Sequence, residues 1–268
     1  MADKWAVANG NWSAGATWNG GTVPQAGDNV YANGKTVTVD VGLTTPVVGR
    51  LSTEANAGLG VAAGGSFFAG DRCTIQATNI VAGGSHCVIV GGSISFSVLA
   101  ATVTGSATAQ AAGVIMQSSG TCTATVGAAY GGAYSNANSS GFSVAAGTLV
   151  FTGDAVGASA NAFACGIYIS NGSAHVITGA AKGGAGGAPG VQNNSGVQVQ
   201  ISTAQSNNYP NDGITTGGVG SNQSNNSGSV LLDAMVFGSG GWHPVAGRHF
   251  VRDAGINFVQ MRQANNGA

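Results

Sequence analysis

The stretch that decides the fold covers residues 11–41, NWSAGATWNGGTVPQAGDNVYANGKTVTVDV. Its last six residues, 36–41, alternate polar and apolar side chains. This period-2 pattern is typical of a β-strand with one buried face. Upstream of it the chain is dense in turn residues, namely the glycines at 20–21, Pro24, Gly27-Asp28 and Asn33-Gly34.

We interpret residues 1–42 as an N-terminal lid followed by the first strand. The lid residues are Trp12, Trp18, Pro24 and Asp28. We expect both indole rings to be buried above the first coil and to cover the open end of a long apolar core.

A short apolar element that follows a small residue recurs along the middle of the chain. It appears as GVIM at 113–116, GFSV at 141–144, GIYI at 166–169 and GVQV at 196–199, at spacings of 28, 25 and 30 residues. The sequence HCVIV at 86–90 is the same element one repeat earlier. Each copy leads to a second strand (93–98, 121–126, 148–151 and 174–177), and then to a third element rich in Gly and Ala.

Self-similarity with a period near 25 residues is the signature of a solenoid. The repeated elements are short and lack a 3.6-residue apolar stripe, which excludes helical solenoids. The sequence therefore predicts an all-β parallel β-helix, with coils of about 25–30 residues over residues 43–201. Val114, Phe142, Ile167 and Val197 are expected to stack as one inner column.

The C-terminal region, residues 202–268, differs from the repeats. It begins as a loop rich in Asn, Gly and Ser, and apolar and charged residues then return together. A solenoid must hide its last strand edge from further pairing, so we interpret this region as a cap or an attachment segment. Its candidate residues are Trp242, Arg248, His249, Phe250, Arg252 and Phe258.

The N-terminal pattern resembles a known class of proteins. Asn-Trp-Ser, Ala-Thr-Trp, Val-Pro, Gly-Asp and Thr-Val-Thr-Val, within residues 9–42, resemble the opening of right-handed β-helical surface proteins of secreted bacterial and tailed-bacteriophage origin. The resemblance implies a right-handed β-helix, a trimer and a place in a virion. Fold alone does not fix function.

Charge is scarce: only 6% of residues are charged and the net charge is −1. Between Cys73 and Gly247 the only formally charged residues are Asp154, Lys182, Asp212 and Asp233. Without a basic patch, nucleic acid is not expected as a partner. No membrane span or signal peptide is predicted, so the protein is expected to be made in the host cytoplasm before it enters the virion.

Chemistry-bearing motifs are not found, and no cofactor, metal or catalytic residue is predicted. The four cysteines lack metal-ligand spacing, and buried small residues are favoured over a disulfide or a metal site. Asp154 and Asp212 lie about two repeats apart, too far for a glycosidase pair within one chain. We interpret His86 and His175 as structural residues within strands.

These features favour a non-enzymatic structural protein of a bacteriophage virion, a trimeric capsid decoration or spike protein that contacts other virion proteins. The alternative is a tail fibre or tailspike that recognises, and possibly cleaves, a host surface glycan at a cleft between subunits. Thr121, Thr123 and Thr125 also suggest an ice-binding face, but such Thr columns are not expected to repeat in neighbouring coils. A cellular adhesin would need an export signal.

Overall fold

The computed structural model describes residues 1–159, 164–171, 180–184, 188 and 190–193, and seven short strand segments beyond them. These segments are 199–201, 204–205, 223–225, 230–232, 235–236, 250–252 and 259–260. The described residues contain 23 strands and only short 3-10 helices, at Gly15–Thr17, Asn19–Gly21, Ala57–Leu59 and Ala137–Ser139. None of the helices in this part of the chain is long and apolar enough to cross a membrane.

The first strands, in chain order, are β1 (Asp3–Trp5), β2 (Gly10–Asn11), β3 (Asn29–Tyr31), β4 (Thr36–Val39), β5 (Val48–Ser52), β6 (Ser66–Ala69), β7 (Thr74–Val81), β8 (Val88–Val90), β9 (Ser95–Thr104), β10 (Val114–Met116), β11 (Thr121–Tyr130) and β12 (Phe142–Val144). They are followed by β13 (Thr148–Val156), β14 (Ile167–Ile169), β15 (Ala180–Lys182), β16 (Val191–Asn193), β17 (Val199–Ile201), β18 (Ala204–Gln205), β19 (Gln223–Asn225), β20 (Val230–Leu232), β21 (Met235–Val236), β22 (Phe250–Arg252) and β23 (Val259–Gln260).

Two parallel sheets run along the molecule. The long-strand sheet has the order β1-β3-β5-β7-β9-β11-β13-β15-β18-β21, and the short-strand sheet runs from β2 through β4, β6, β8, β10, β12, β14 and β16 to β19. From β1 to β16 the chain therefore alternates between the sheets, and each coil adds one strand to each of them. A third sheet, of order β17-β20-β22-β23, begins after β16. The predicted all-β parallel solenoid is confirmed.

The inner column of the short-strand sheet sets the coil length. Val114 aligns with Phe142, and Phe142 aligns with Ile167, as predicted. The next member is Val191 and not Val197, which lies outside the described residues. The step from Ile167 to Val191 is 24 residues, where the sequence pattern predicts 30. In β16 the buried Val191 takes the inward position next to Ile167. The strand therefore continues the column although its sequence, VQN, lacks the apolar tetrapeptide of the other coils.

The second and third elements of each repeat form one long strand with a bend. In β11 Cys122, Ala124 and Val126 are buried in alternation, and the alternation then slips, so that Ala128 and Ala129 are both buried. The pairing of β11 with β13 is irregular at the same place, between Thr125 and Ala128. The Gly- and Ala-rich segment is therefore the second half of the long strand, turned across a corner of the coil. The second strand predicted at 174–177 lies outside the described residues.

One continuous apolar core runs through the solenoid from Ala6 to Val191. Its largest fully buried side chains include Trp18, Phe67, Phe142 and Phe151. The Phe142 and Phe151 rings meet edge to face at 5.3 Å between centroids, which is a favourable aromatic geometry.

Polar side chains at the turns hold successive coils together. Asp40 accepts a hydrogen bond from the Ser13 backbone N–H at 3.0 Å, in the preceding coil. The His86 Nδ1 atom accepts from the Ala112 N–H at 2.9 Å, in the following coil. These bonds replace ladder pairing where the chain leaves one sheet for the other.

Candidate functional site

The four residues predicted to form the lid are all buried. Residues 1–42 hold β1–β4, which lie in the same two sheets as the later strands. The segment that carries Trp18 lies against the first coil, where Ala6 bridges Trp18 and the Val7 N–H donates to the Thr17 carbonyl at 2.8 Å. The lid as a separate unit stays a prediction. Trp12 is 3% exposed and Trp18 is 1% exposed, and Pro24 is buried as well. The two indoles pack edge to face at 5.2 Å, and the Trp18 Nε1–H donates to the Trp12 carbonyl at 2.8 Å.

Asp28 joins the first coils through its carboxylate and its backbone. Its Oδ1 accepts from the Ala2 N–H at 2.8 Å, and its Oδ2 accepts from the Gln25 N–H at 3.0 Å. Burial by itself raises the pKa of Asp28, but these two hydrogen bonds and the nearby charge of Lys4 outweigh burial and lower the pKa. Asp28 is therefore an ionised structural residue.

The outer edges of β1 and β2 are occupied by side chains from the segment that follows them. The Asn19 Oδ1 atom accepts from the Trp5 N–H at 2.8 Å, and its Nδ2 donates to the Asp3 carbonyl at 3.5 Å. The Thr17 hydroxyl donates to the Asn11 carbonyl at 2.9 Å. Edge groups satisfied in this way are unavailable for pairing with another strand.

The predicted attachment residues lie largely outside the described part of the chain. Trp242, Arg248, His249 and Phe258 fall outside it, and Phe250 and Arg252 are described only as members of β22. This strand pairs antiparallel with both β20 and β23, whereas the two main sheets are wholly parallel. The pairing thus changes character near the C-terminal end, and the cap itself stays a prediction.

Within the described residues no three His, Cys, Asp or Glu side chains come close enough to hold a metal ion. Asp154 lies in β13 beside Ala128 and Ala180 of the neighbouring coils. Burial lowers the pKa of His86, whose Nδ1 already accepts a hydrogen bond, as a structural histidine would. Asp212 and His175 lie outside the described residues.

All four cysteines are free and buried, as the sequence predicts. Burial raises the pKa of every one of these thiols, to about 11 for Cys73 and about 12 for Cys165. Thiols held neutral in this way are poor nucleophiles and poor metal ligands.

The first halves of β9, β11 and β13 present a flat surface that we call the hydroxyl face. Its outward residues are Ser95, Ser97, Leu99, Thr121, Thr123, Thr125, Thr148, Val150 and Thr152. None of them carries a charge. From the sequence, the Thr columns are not expected to repeat in neighbouring coils. In the structure, however, hydroxyl side chains do align across coils, as in Ser95, Thr121 and Thr148. Leu99 and Val150 interrupt the other two columns, so the array is not the regular lattice of an ice-binding face.

A shallow groove of about 520 Å³ opens on the outer side of the short-strand sheet. We call it the Phe68 groove, and its main lining residues are Thr36, Thr38, Phe68, Asp71, Gly91 and Ile94. Phe67 points into the core, and so Phe68, the next residue of β6, points outward and is half-buried. The groove is not predicted from the repeat pattern; the signal that could have found it is the pair of adjacent Phe residues in one strand, which places one ring on the outside.

The described charges concentrate at the N-terminal end of the solenoid. Residues 3–72 carry nine formal charges, whereas residues 73–201 carry only Asp154 and Lys182. Two of the charged pairs at this end are local, Arg50 with Glu54 and Arg72 with Asp71. Among the described coils, those built from residues 73–193 are therefore nearly free of charge, whereas the first coils carry most of it.

Comparisons of the chain with protein-family models, with curated proteins and with solved structures give no match.

Proposed function

We propose that this chain is a non-enzymatic structural protein of a bacteriophage virion, a trimeric decoration or spike protein on the particle surface. The observation that carries the proposal is the distribution of charge along the β-solenoid: residues 3–72 carry nine formal charges, whereas residues 73–201 carry only Asp154 and Lys182. The resemblance of residues 9–42 to the opening of bacteriophage surface proteins supplies the virion context.

The hydroxyl face is the surface that best suits packing of identical copies. Taking a charge out of water costs free energy unless it is paired, and this face carries none. It is flat, because it is built from parallel strands with short side chains. Closed symmetry would bury it in every copy without producing fibres.

The charged end suits attachment to another virion protein. Surface charges contribute to the specificity and the association rate of an interface more than to its affinity. The edges of β1 and β2 are already occupied by Asn19 and Thr17, so attachment there would use side chains and not strand addition.

Fractionation of the particles tests the virion assignment. Phage particles purified through a density gradient and washed in high salt are expected to retain the chain, as detected by mass spectrometry at a constant ratio to the capsid protein. Recovery of the chain only in the soluble fraction of infected cells would overturn the assignment.

A further inference from the structure

The Phe68 groove has the chemistry of a saccharide site. A sugar ring offers an apolar C–H face and a periphery of hydroxyl groups. It is therefore recognised by an aromatic surface combined with fixed hydrogen-bonding groups. The groove supplies both kinds of group within one open surface.

Phe68 supplies the aromatic surface. The ring is half-buried on the outer side of β6, between Thr38 and Ile89 of the neighbouring coils. A Cβ atom placed on Gly91 would meet the ring at 3.6 Å, so the glycine leaves this side of the ring uncovered. Ile94 extends the apolar lining.

Asp71 supplies a carboxylate held in place from two sides. Its Oδ1 accepts from the Ser95 N–H at 3.0 Å, and its Oδ2 lies 3.2 Å from the Arg72 Nε. The side chain is 42% exposed, and an ionised carboxylate has about four acceptor positions, so it can also accept from ligand hydroxyls. Thr36 and Thr38, both exposed, add hydroxyls that donate and accept.

Other ligand classes fit this groove less well. A lipid chain needs an enclosed apolar cavity, whereas this groove is shallow. Strand addition needs a free sheet edge, whereas the groove lies on the face of a sheet whose strands are paired on both sides. Nucleic acid needs a basic surface, whereas Arg72, the cation beside the groove, is paired with Asp71.

We propose that the Phe68 groove binds a neutral saccharide, with a sugar ring on Phe68 and its hydroxyls on Asp71, Thr36 and Thr38. The inference is independent of the proposed packing of copies, because the hydroxyl face lies on the other sheet. No bond of the saccharide is broken at this site.

The test is to titrate the full chain with maltohexaose, cellohexaose, laminarihexaose and chitohexaose. Binding is measured by isothermal titration calorimetry and by saturation-transfer NMR. We expect at least one of these hexasaccharides to bind. Phe68→Ala should weaken binding about tenfold, as loss of an aromatic contact does. Tyr168→Ala, at an aromatic residue four coils along the same outward column, is the matched control and should leave the affinity unchanged.

Gly91→Leu is a second variant that tests the same site if Phe68→Ala fails to fold. Gly91 is exposed and has ordinary space for a Cβ, so a leucine there should cover the ring without disturbing the core. Binding should be lost in Gly91→Leu while the mass in light scattering stays that of the wild type. Absence of binding to all four hexasaccharides, or unchanged affinity in both groove variants, would overturn the inference.

Discussion

Replacing Trp18 by alanine should destabilise the N-terminal coils more than any other single tryptophan replacement in residues 1–18. Trp18 is 1% exposed, its ring packs edge to face on Trp12, and its Nε1–H occupies the Trp12 carbonyl. The substitution therefore removes packing, an aromatic pair and a buried hydrogen bond at once.

The magnitude follows from these three losses. Truncation of a buried Trp to Ala costs about 3–5 kcal/mol, and a buried carbonyl left without a donor adds about 1–3 kcal/mol where no water reaches it. Since such contributions are not additive in one contact network, we expect about 5 kcal/mol for Trp18→Ala. Trp18→Phe keeps a ring and loses the N–H, and should cost about 1–2 kcal/mol. Trp5→Ala, at a half-exposed Trp of β1, is the control and should cost less than about 2 kcal/mol.

The assay is urea unfolding followed by far-ultraviolet circular dichroism, together with amide hydrogen exchange. Because each coil of a solenoid contacts only its neighbours, the loss should appear first as faster exchange in β1–β4, with β9–β13 still protected. A free energy of unfolding for Trp18→Ala within 1 kcal/mol of the wild type, with β1–β4 protected, would refute the reasoning.

Three further predictions follow from the core and the turns. A thiol reagent at pH 8 should modify none of the cysteines in the folded protein and all four in urea, because burial raises their pKa values (Cys73 to about 11); modification of Cys73 without unfolding would contradict this. The lowered pKa of His86 means that the folded state prefers the neutral ring, so stability should be complete above about pH 6.5 and should fall as the pH drops towards 5. His86→Ala, which removes the acceptor for Ala112, should flatten that dependence, and an equal slope in both proteins would exclude this role. Gly153→Ala should abolish folding at 37 °C, since φ is +141° and the added Cβ would collide with the Val126 carbonyl, whereas Gly20→Ala, with φ +71° and open space, should lower the melting temperature only slightly.

The period of the repeat predicted the architecture because every coil must place an apolar side chain inward at the same step. Val114, Phe142 and Ile167 meet this demand with a clear apolar signal, and their column is as predicted. Val191 meets it with one valine in VQN, and the sequence pattern points instead to the stronger GVQV at 196–199. The repeat cannot be located from sequence periodicity in a coil where a single apolar residue fills the inward position of the strand.

The features of the surface depend on register, which the sequence pattern does not fix. Thr121 stands in a hydroxyl column only because coils of unequal length bring Ser95 and Thr148 beside it. The Phe68 groove likewise depends on how the turn at 91–94 lies beside β6. The burial of Trp12 and Trp18 was predictable, but β1 and β2 were not, because they are too short to give a strand signal.

Light scattering during size-exclusion chromatography tests most directly whether the hydroxyl face packs against other copies. At micromolar concentration the full chain should have three times its 26.0 kDa mass. Thr123→Arg, which places a charge in the centre of the hydroxyl face, should give the monomer mass, and Gln110→Arg, at an exposed loop position, should stay trimeric. A wild-type mass of 26.0 kDa, or a trimer unaffected by Thr123→Arg, would contradict the account.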